Sequence, residues 1–166
     1  MKFSDFICKE SINVDLKSAT KEETIRTMVK SLLDAGAIAE EDYEGIVRNV
    51  IKREELGSTG IGRSVAVPHT KHPKVAKMVG TVAISQEGVD FDSLDGQPVR
   101  VLFLLISPPD DPSSHLRALE YISKQLRIQT FRRFMMQSKT VEAVEELLDE
   151  VDNEVFDHND SEGSAG

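Results

Sequence analysis

Hydrophobic residues recur at helical spacing in the first third of the chain and predict two amphipathic helices. The first follows Thr20, which forms a capping-box pattern with Glu23, and Gly36 marks its carboxyl end. Its apolar face consists of Ile25, Met28, Val29, Leu32 and Leu33. The second begins in the acidic residues 40–42, which suit the positive end of a helix dipole, and runs to about Arg53. Its apolar face consists of Ile46, Val47, Val50 and Ile51.

Shorter apolar runs in the middle of the chain predict β-strands. Residues 65–67 read Val-Ala-Val, and Pro68 fixes φ and removes an N–H. We therefore expect this strand to end there and to present His69 at its exit. A second strand is predicted over residues 78–85. Residues 99–106 are almost continuously apolar, which is typical of a strand covered on both faces.

The last third of the chain predicts three more helices after a proline-rich break. Ser113 or Ser114 is expected to cap the third helix, on which one stripe is formed by His115, Leu119, Ile122 and Leu126. A short helix over residues 131–137 and a last helix capped by Thr140 follow. Helices before, between and after buried strands indicate an α/β fold, a layered domain with a mixed β-sheet flanked by helices.

The net charge of −9 over 166 residues comes from the carboxyl end of the chain. Ten of the 29 acidic residues lie from Thr140 onward, where no Lys or Arg occurs, and the remaining 19 nearly balance the 20 basic residues. No basic face with interleaved aromatic residues is present, so nucleic-acid binding is not expected. Residues 152–166 are acidic and polar, and we expect one domain over residues 1–151 followed by a disordered tail over 152–166.

The single cysteine, Cys8, excludes an internal disulfide and a cysteine-based zinc site. Beside Phe6 and Ile7, we expect it to be a small buried hydrophobic side chain. The sequence contains no run of about 18 apolar residues, and its mixed, acid-containing start does not resemble a signal peptide. We therefore expect a cytoplasmic protein with no direct membrane insertion.

His69 is the residue with the clearest chemical potential. It follows Pro68, and the glycine-rich residues 57–62 that precede the strand allow tight turns or close approach to a ligand. A neutral imidazole, with an ordinary pKa near ~6.5, is a competent nucleophile at cellular pH. From the residues alone His69 is only a presented histidine, and a structural or solvated histidine is the alternative.

Residues 60–71 read Gly-Ile-Gly-x-x-Val-Ala-Val-Pro-His-x-Lys and resemble the active-site signature of the fructose/mannitol-type EIIA domains of the bacterial phosphotransferase system. That family includes stand-alone regulatory proteins of the nitrogen branch. The resemblance covers about residues 5–151, and the pair Arg63-Ser64 departs from it where many relatives have a glycine. It implies that His69 accepts a phosphoryl group from a phosphorylated HPr-type carrier and passes it to an EIIB partner for sugar uptake. The alternative role is a regulatory module that controls target proteins according to its phosphorylation state.

Two further residues gain roles from the same resemblance. His115, in the first turn of the third helix, resembles the family's second histidine, which supports transfer without carrying the phosphate. Arg53 matches an arginine near the active histidine, and a guanidinium fits phosphate oxygens bidentately. Without the resemblance, His115 would only top an apolar stripe, and Arg53 would only be a cation at a helix end.

Other candidate groups predict no cofactor and no metal. Thr59, Gly60 and Gly62 could offer donors to a phosphoryl group, but turn formation is the expected role of the glycines, and no nucleotide-binding fingerprint is present. His72 lies close to His69 without a nearby cysteine, which makes a poor zinc site, and His158 lies in the acidic tail. An unrelated histidine- or metal-dependent enzyme is the third class considered, and a phosphohistidine carrier is the favoured one.

Overall fold

The two amino-terminal helices form where the hydrophobic spacing predicts them. The computed structural model describes residues 1–153, with α1 at Lys21–Asp34 and α2 at Tyr43–Glu55. Thr20 caps α1, since its hydroxyl accepts from the Glu23 N–H at 3.2 Å. Gly36 follows α1 with φ of +78°, a conformation that favours glycine, and ends the helix as expected.

A mixed sheet forms the middle layer of the domain. Its strands are β1 at Gly60–Gly62, β2 at Val65–Ala66, β3 at His69–Lys71, β4 at Val79–Val89 and β5 at Val99–Ser107. β2 and β3 both pair in parallel with β5, whereas β4 pairs with β5 in antiparallel and β1 with β2 in antiparallel. Together with the helices on its two faces, this sheet confirms the predicted α/β fold class.

β2 and β3 are two parts of one extended segment that Pro68 interrupts. Ala66 lies opposite Leu102 and His69 lies opposite Leu105, so both short strands keep the same register along β5. The Pro68 carbonyl still accepts from the Leu105 N–H at 3.1 Å, but proline has no N–H to return. β2 ends before Pro68 as predicted, but the expectation that His69 lies at a strand exit is wrong, because pairing with β5 resumes at His69.

Each face of β5 packs against a different set of helices, which explains its nearly continuous apolar sequence. Val101, Phe103 and Leu105 join a core cluster with α3, α4 and α5, which span Pro112–Leu126, Gln129–Gln137 and Val141–Asp152. The alternating residues Leu102, Leu104 and Ile106 join a second cluster with α1 and α2. Full burial of each such side chain stabilises the fold by about 1.5–3 kcal/mol.

The amino-terminal segment covers the edge of β4. The Cys8 N–H donates to the Gly80 carbonyl at 2.8 Å, and the Leu16 N–H donates to the Ile84 carbonyl at 3.0 Å. These bonds satisfy backbone groups that an open sheet edge would leave unpaired. Cys8 is only partly buried, so the expectation of a buried side chain is wrong.

α3 begins earlier than the serine-cap prediction places it. Pro112 is in the first turn of the helix, where its missing N–H costs nothing, and the Asp111 carboxylate caps it by accepting from the Ser114 N–H at 3.3 Å. The prediction that Ser113 or Ser114 is the cap is therefore wrong. The shift keeps His115 in the first turn of the helix.

α5 ends with Asp152, whose carboxylate holds the start of the chain. It accepts from the N–H groups of Phe3 at 2.7 Å and Ser4 at 2.9 Å, and from the Tyr121 hydroxyl at 2.9 Å. Asp152 thus belongs to the folded domain, although the tail was expected to begin there. The rest of the expected tail, residues 154–166, lies outside the described residues.

None of the helices within residues 1–153 combines the length and the apolar character that a membrane span requires.

Candidate active site

The imidazole of His69 is held by the backbone just before the proline. Its Nδ1 lies 2.7 Å from the Val67 carbonyl oxygen. A carbonyl oxygen can only accept, so the neutral ring carries its proton on Nδ1 and its lone pair on Nε2. The side chain is half-buried, which leaves Nε2 as the nitrogen available for chemistry.

The surroundings of His69 favour its neutral form. Burial lowers the pKa of His69 below its ordinary value, and the positive charge of Arg53 acts in the same direction. The hydrogen bond to Val67 and the negative charge of Glu54 oppose this shift without cancelling it. A neutral ring with a free lone pair on Nε2 is therefore the dominant form at neutral pH.

The structure brings His115 next to His69. The two ring centroids lie 5.6 Å apart with the ring planes inclined by 54°. His69 pairs with β5 near its carboxyl end, and α3 brings His115 back over that same end. Two histidines far apart in sequence therefore form one cluster.

The side chain of His115 is buried and anchored by a serine. Its Nδ1 lies 2.6 Å from Oγ of Ser107, the last residue of β5. Burial lowers the pKa of His115 to about 4, and the positive charges of a protonated His69 and of Lys71 act in the same direction. His115 is consequently neutral at neutral pH.

Arg53 reaches the same region from the last turn of α2. Its Nη1 donates to the Gly57 carbonyl at 2.8 Å, and its charge is one of those that lower the pKa of His69. α2 itself is tied to β3, since the Asn49 side chain donates to the Lys71 carbonyl at 3.0 Å. Arg53 therefore brings a positive charge close enough to His69 to act on its pKa, with a guanidinium that the Gly57 carbonyl orients.

Sequence reasoning missed two residues that support this cluster, Glu54 and Ser107. Glu54 is buried and accepts hydrogen bonds from both the N–H and the hydroxyl of Thr59. The Thr59 hydroxyl therefore donates its proton to a carboxylate and not to another acceptor. For Glu54 and Thr59, the only sequence signal is an acidic residue at a helix end that is followed by a threonine in a glycine-rich loop. Ser107 could be noticed only as the polar residue that ends an apolar strand.

The glycine-rich loop shapes the backbone around the site. A Cβ on Gly60 would lie 2.5 Å from the Ser93 hydroxyl oxygen and 3.1 Å from the Ser93 Cα, so a close approach requires glycine there. Arg63 and Ser64, which link β1 to β2, have φ of +58° and +67°. Two consecutive positive φ values define the kind of hairpin turn that glycine favours, and here it is formed without glycine at either position.

The remaining histidines do not join the cluster in the described part of the chain. The His72 Nδ1 accepts from the Lys74 N–H at 3.2 Å, and its Nε2 faces Gly45, where a Cβ would lie 3.1 Å away. His158 lies outside the described residues. Within residues 1–153, no group of three or more His, Cys, Asp or Glu side chains is arranged to hold a metal ion.

Comparisons with known proteins match this fold to one family. The family model for the phosphoenolpyruvate-dependent sugar phosphotransferase system, EIIA 2, matches residues 5–151. A nitrogen regulatory protein of Bradyrhizobium diazoefficiens is 32% identical over 89% of this chain and 95% of its own length. A fructose-specific EIIA component of Haloferax volcanii is 30% identical over 86% of this chain and 91% of its own length. The fold is also similar to a chain in a complex of enzyme IIAMTL and phosphorylated enzyme IIBMTL from Escherichia coli, with a TM-score of 0.70 and 26% sequence identity. That match covers 84% of this chain and 94% of the chain in the complex.

The chain belongs to the EIIA 2 family of the phosphoenolpyruvate-dependent sugar phosphotransferase system. It is accordingly a phosphotransferase component with the α/β fold of that family, and the family expected from residues 60–71 is confirmed. Its relatives include both fructose-type EIIA components and nitrogen regulatory proteins, the two branches that the sequence predicts.

Proposed function

We propose that the protein is a phosphohistidine carrier. Nε2 of its His69 accepts a phosphoryl group from a phosphorylated HPr-type protein, and the group is then passed to an EIIB partner. The observation that carries this proposal is the 2.7 Å contact between His69 Nδ1 and the Val67 carbonyl, because it leaves the lone pair on Nε2. An HPr-type donor makes the cytoplasm the expected location of the reaction.

The acceptance step exchanges one bond to phosphorus for another. The Nε2 lone pair of His69 forms the new N–P bond, while the bond from phosphorus to the donor breaks and its electron pair leaves with the donor. The ring keeps its Nδ1–H and becomes positively charged, and the Val67 carbonyl stabilises that charge. A positively charged phosphoimidazole is a good leaving group, which suits onward transfer in the reverse sense.

His115 assists as a neutral hydrogen-bond donor. When the Ser107 hydroxyl donates to its Nδ1, the His115 proton resides on Nε2 and can be donated to a phosphoryl oxygen. With the ring centroids 5.6 Å apart, a phosphoryl group on His69 lies within reach of His115. A neutral donor stabilises charge that develops during transfer without holding the group as tightly as a cation.

Arg53 stabilises the phosphoryl group from the α2 side. Its charge already acts on His69, and the hydrogen bond to the Gly57 carbonyl orients the guanidinium while leaving other N–H groups for phosphate oxygens. Because the same charge distribution develops in acceptance and donation, Arg53 is expected to assist both.

The identity of the protein downstream of phosphorylated His69 distinguishes two roles for this chain. Similarity to the IIAMTL chain in the complex with phosphorylated IIBMTL, and to a fructose-specific EIIA component, supports an EIIB partner in fructose/mannitol-type sugar uptake. The match to a nitrogen regulatory protein over 95% of that protein's length supports the second candidate, a regulator that binds target proteins according to its phosphorylation state.

Reconstitution tests the carrier function. The full chain is incubated with phosphoenolpyruvate, enzyme I and HPr, and the product is assayed for acid-labile phosphate. We expect stoichiometric phosphorylation of His69, and an unmodified protein under a complete donor system would overturn the proposal. Adding purified EIIB then separates the roles, since rapid transfer to EIIB supports sugar uptake, whereas phosphorylation-dependent capture of another protein supports regulation.

A further inference from the structure

Glu54 is a buried carboxylate at the end of α2, and its partners connect two helices to the glycine-rich loop. Its oxygens accept from the Thr59 N–H at 3.3 and 3.2 Å, and Oε1 also accepts from the Thr59 hydroxyl. The Lys21 ammonium, at the start of α1, lies 3.0 Å from Oε2. The Glu54 side chain is only 3% exposed, and a carboxylate so buried is costly unless it is both paired and hydrogen-bonded. Glu54 meets both conditions.

A continuous series of hydrogen bonds leads from Glu54 to the His69 imidazole. Thr59, held by Glu54 at its N–H, accepts with its carbonyl from the Val67 N–H at 3.1 Å. Val67 in turn accepts from the His69 Nδ1–H at 2.7 Å with its own carbonyl. Both intermediate residues are therefore held at their N–H and at their carbonyl, so a shift of the loop is transmitted to the ring.

The same loop also holds Arg53. The Gly57 carbonyl accepts from Arg53, and the Gly57 N–H donates to the Glu54 carbonyl at 3.1 Å. The loop from Gly57 to Thr59 is thus anchored at one end by the Glu54 backbone and at the other by the Glu54 carboxylate. The orientations of the Arg53 and His69 side chains therefore depend on the position of this loop.

We propose that Glu54 is a positioning residue for His69, acting through Thr59 and Val67 to fix the orientation of the imidazole and the proton on Nδ1. This inference rests on the proposed function, because the position of the ring affects transfer only if Nε2 is the reacting atom. It assigns Glu54 no contact with the phosphoryl group.

The test compares Glu54→Ala, Glu54→Gln and Thr59→Val with the wild-type full chain. ¹⁵N NMR of the imidazole nitrogens reports the tautomer, and single-turnover phosphorylation by phospho-HPr reports the rate per folded molecule. We expect the Nδ1–H form in the wild type and a mixture with the Nε2–H form in Glu54→Ala. The rate is expected to fall by on the order of tenfold to a hundredfold, since small displacements of a reacting group are costly. Glu54→Gln keeps one acceptor oxygen for Thr59, so it should recover part of the Nδ1–H population and part of the phosphorylation rate.

A matched control separates positioning from simple loss of stability. Asp152→Ala removes another carboxylate that holds backbone N–H groups, but those belong to the amino-terminal turn. We expect it to lower the melting temperature without changing the His69 tautomer or the rate per folded molecule. Glu54→Gln keeps the shape of the side chain, and Thr59→Val removes the hydroxyl contact to Glu54 but leaves the Thr59 N–H in place. Both weaken the hold of Glu54 on the loop, so they are measured in the same way if Glu54→Ala does not fold.

The outcomes for the two proposals are distinguishable. An unchanged tautomer and an unchanged rate in the folded Glu54 and Thr59 variants would overturn the positioning role while leaving the carrier function intact. If the wild type itself is not phosphorylated, the carrier function fails, and the tautomer comparison still decides whether Glu54 orients His69.

Discussion

The imidazole rings of His69 and His115 lie 5.6 Å apart, centroid to centroid, although one is on a strand and the other on a helix. They meet because β3 and α3 both lie at the carboxyl end of β5, where Ser107 contacts His115. Burial lowers the pKa of both rings, so the pair is neutral at neutral pH. Each neutral ring then has one N–H and one nitrogen with a free lone pair.

Replacing His69 with alanine is expected to abolish phosphorylation by phospho-HPr, because it removes the attacking Nε2. Its side chain is half-buried and bonded to Val67, so we also expect a loss of about 1 kcal/mol in the free energy of unfolding. Mass spectrometry of the phosphorylated protein locates the group. His72→Ala, the control, should remain phosphorylated, since His72 contacts Lys74 and lies outside the cluster. Phosphate found on His72 of the wild type would contradict the assignment.

Replacing His115 with alanine is expected to slow donation to an EIIB partner by on the order of a hundredfold, with a smaller effect on acceptance. The variant also leaves the buried Ser107 hydroxyl without its histidine, which costs about 1–3 kcal/mol of stability. Rapid-quench measurements in the two directions check the asymmetry. Donation at the wild-type rate would remove His115 from the transfer mechanism.

The buried, neutral His115 predicts a loss of stability at mildly acid pH. Its pKa is about 4 in the folded protein against an ordinary value of 6.5, so the unfolded chain takes up the proton first. The stabilisation is fully present above the ordinary pKa and is lost as the pH falls towards 4, by up to about 1.4 kcal/mol per pH unit. Urea denaturation of the wild type and His115→Gln across this range measures the effect. Parallel stability curves for the two proteins would show that His115 is not its source.

Replacing Arg53 with alanine is expected to slow acceptance and donation alike, by on the order of a hundredfold, because a phosphate-binding guanidinium acts on the transition state that both share. Arg53→Lys should recover only part of the rate, since an ammonium lacks the planar fork. Lys52→Ala provides the control at the neighbouring, exposed position on α2. If Arg53→Ala transfers as fast as Lys52→Ala in both directions, Arg53 has no role in phosphate binding.

Two truncated chains distinguish the contribution of Asp152 to stability from that of the residues after Asn153. Ending the chain after Asn153 is expected to change the melting temperature little, because residues 154–166 offer little apolar surface to bury. Ending it after Val151 also removes the carboxylate that binds Phe3 and Ser4, and we expect a loss of about 1–3 kcal/mol. Thermal and urea unfolding of the two truncated chains measure the difference. Equal stabilities would show that Asp152 adds nothing to the fold.

The helices with clear local signals were predictable from the sequence. Thr20 and Thr140 both cap helices as the pattern predicts, and Gly36 ends α1. These signals act over only a few residues, because a cap satisfies backbone groups in its own first turn. Asp111 was missed as a cap because the prolines around it were interpreted as a break, although proline is favoured in the first turn of a helix.

The strands depended on partners that the sequence does not identify. Pro68 is a sound local signal for the end of a strand, yet β3 resumes because β5 offers hydrogen bonds to His69 and the residues after it. Whether an interruption ends a strand is decided by register with a neighbour that is distant in sequence. The apolar sequence of β5 predicts that the strand is buried, but it does not predict which strands lie beside β5 in the sheet.

By itself, the sequence determined the fold class, the caps of α1 and α5 and the candidate histidine His69, because these follow from short patterns and from a motif with fixed spacing. Only the tertiary structure decided which side chains meet. It placed His115 beside His69, turned the Thr59 hydroxyl towards Glu54 and set the proton on Nδ1 through the Val67 carbonyl. The physical reason is that hydrogen bonds and charge effects require contact within a few ångströms, and the packing of the helices against the sheet determines which distant residues come that close.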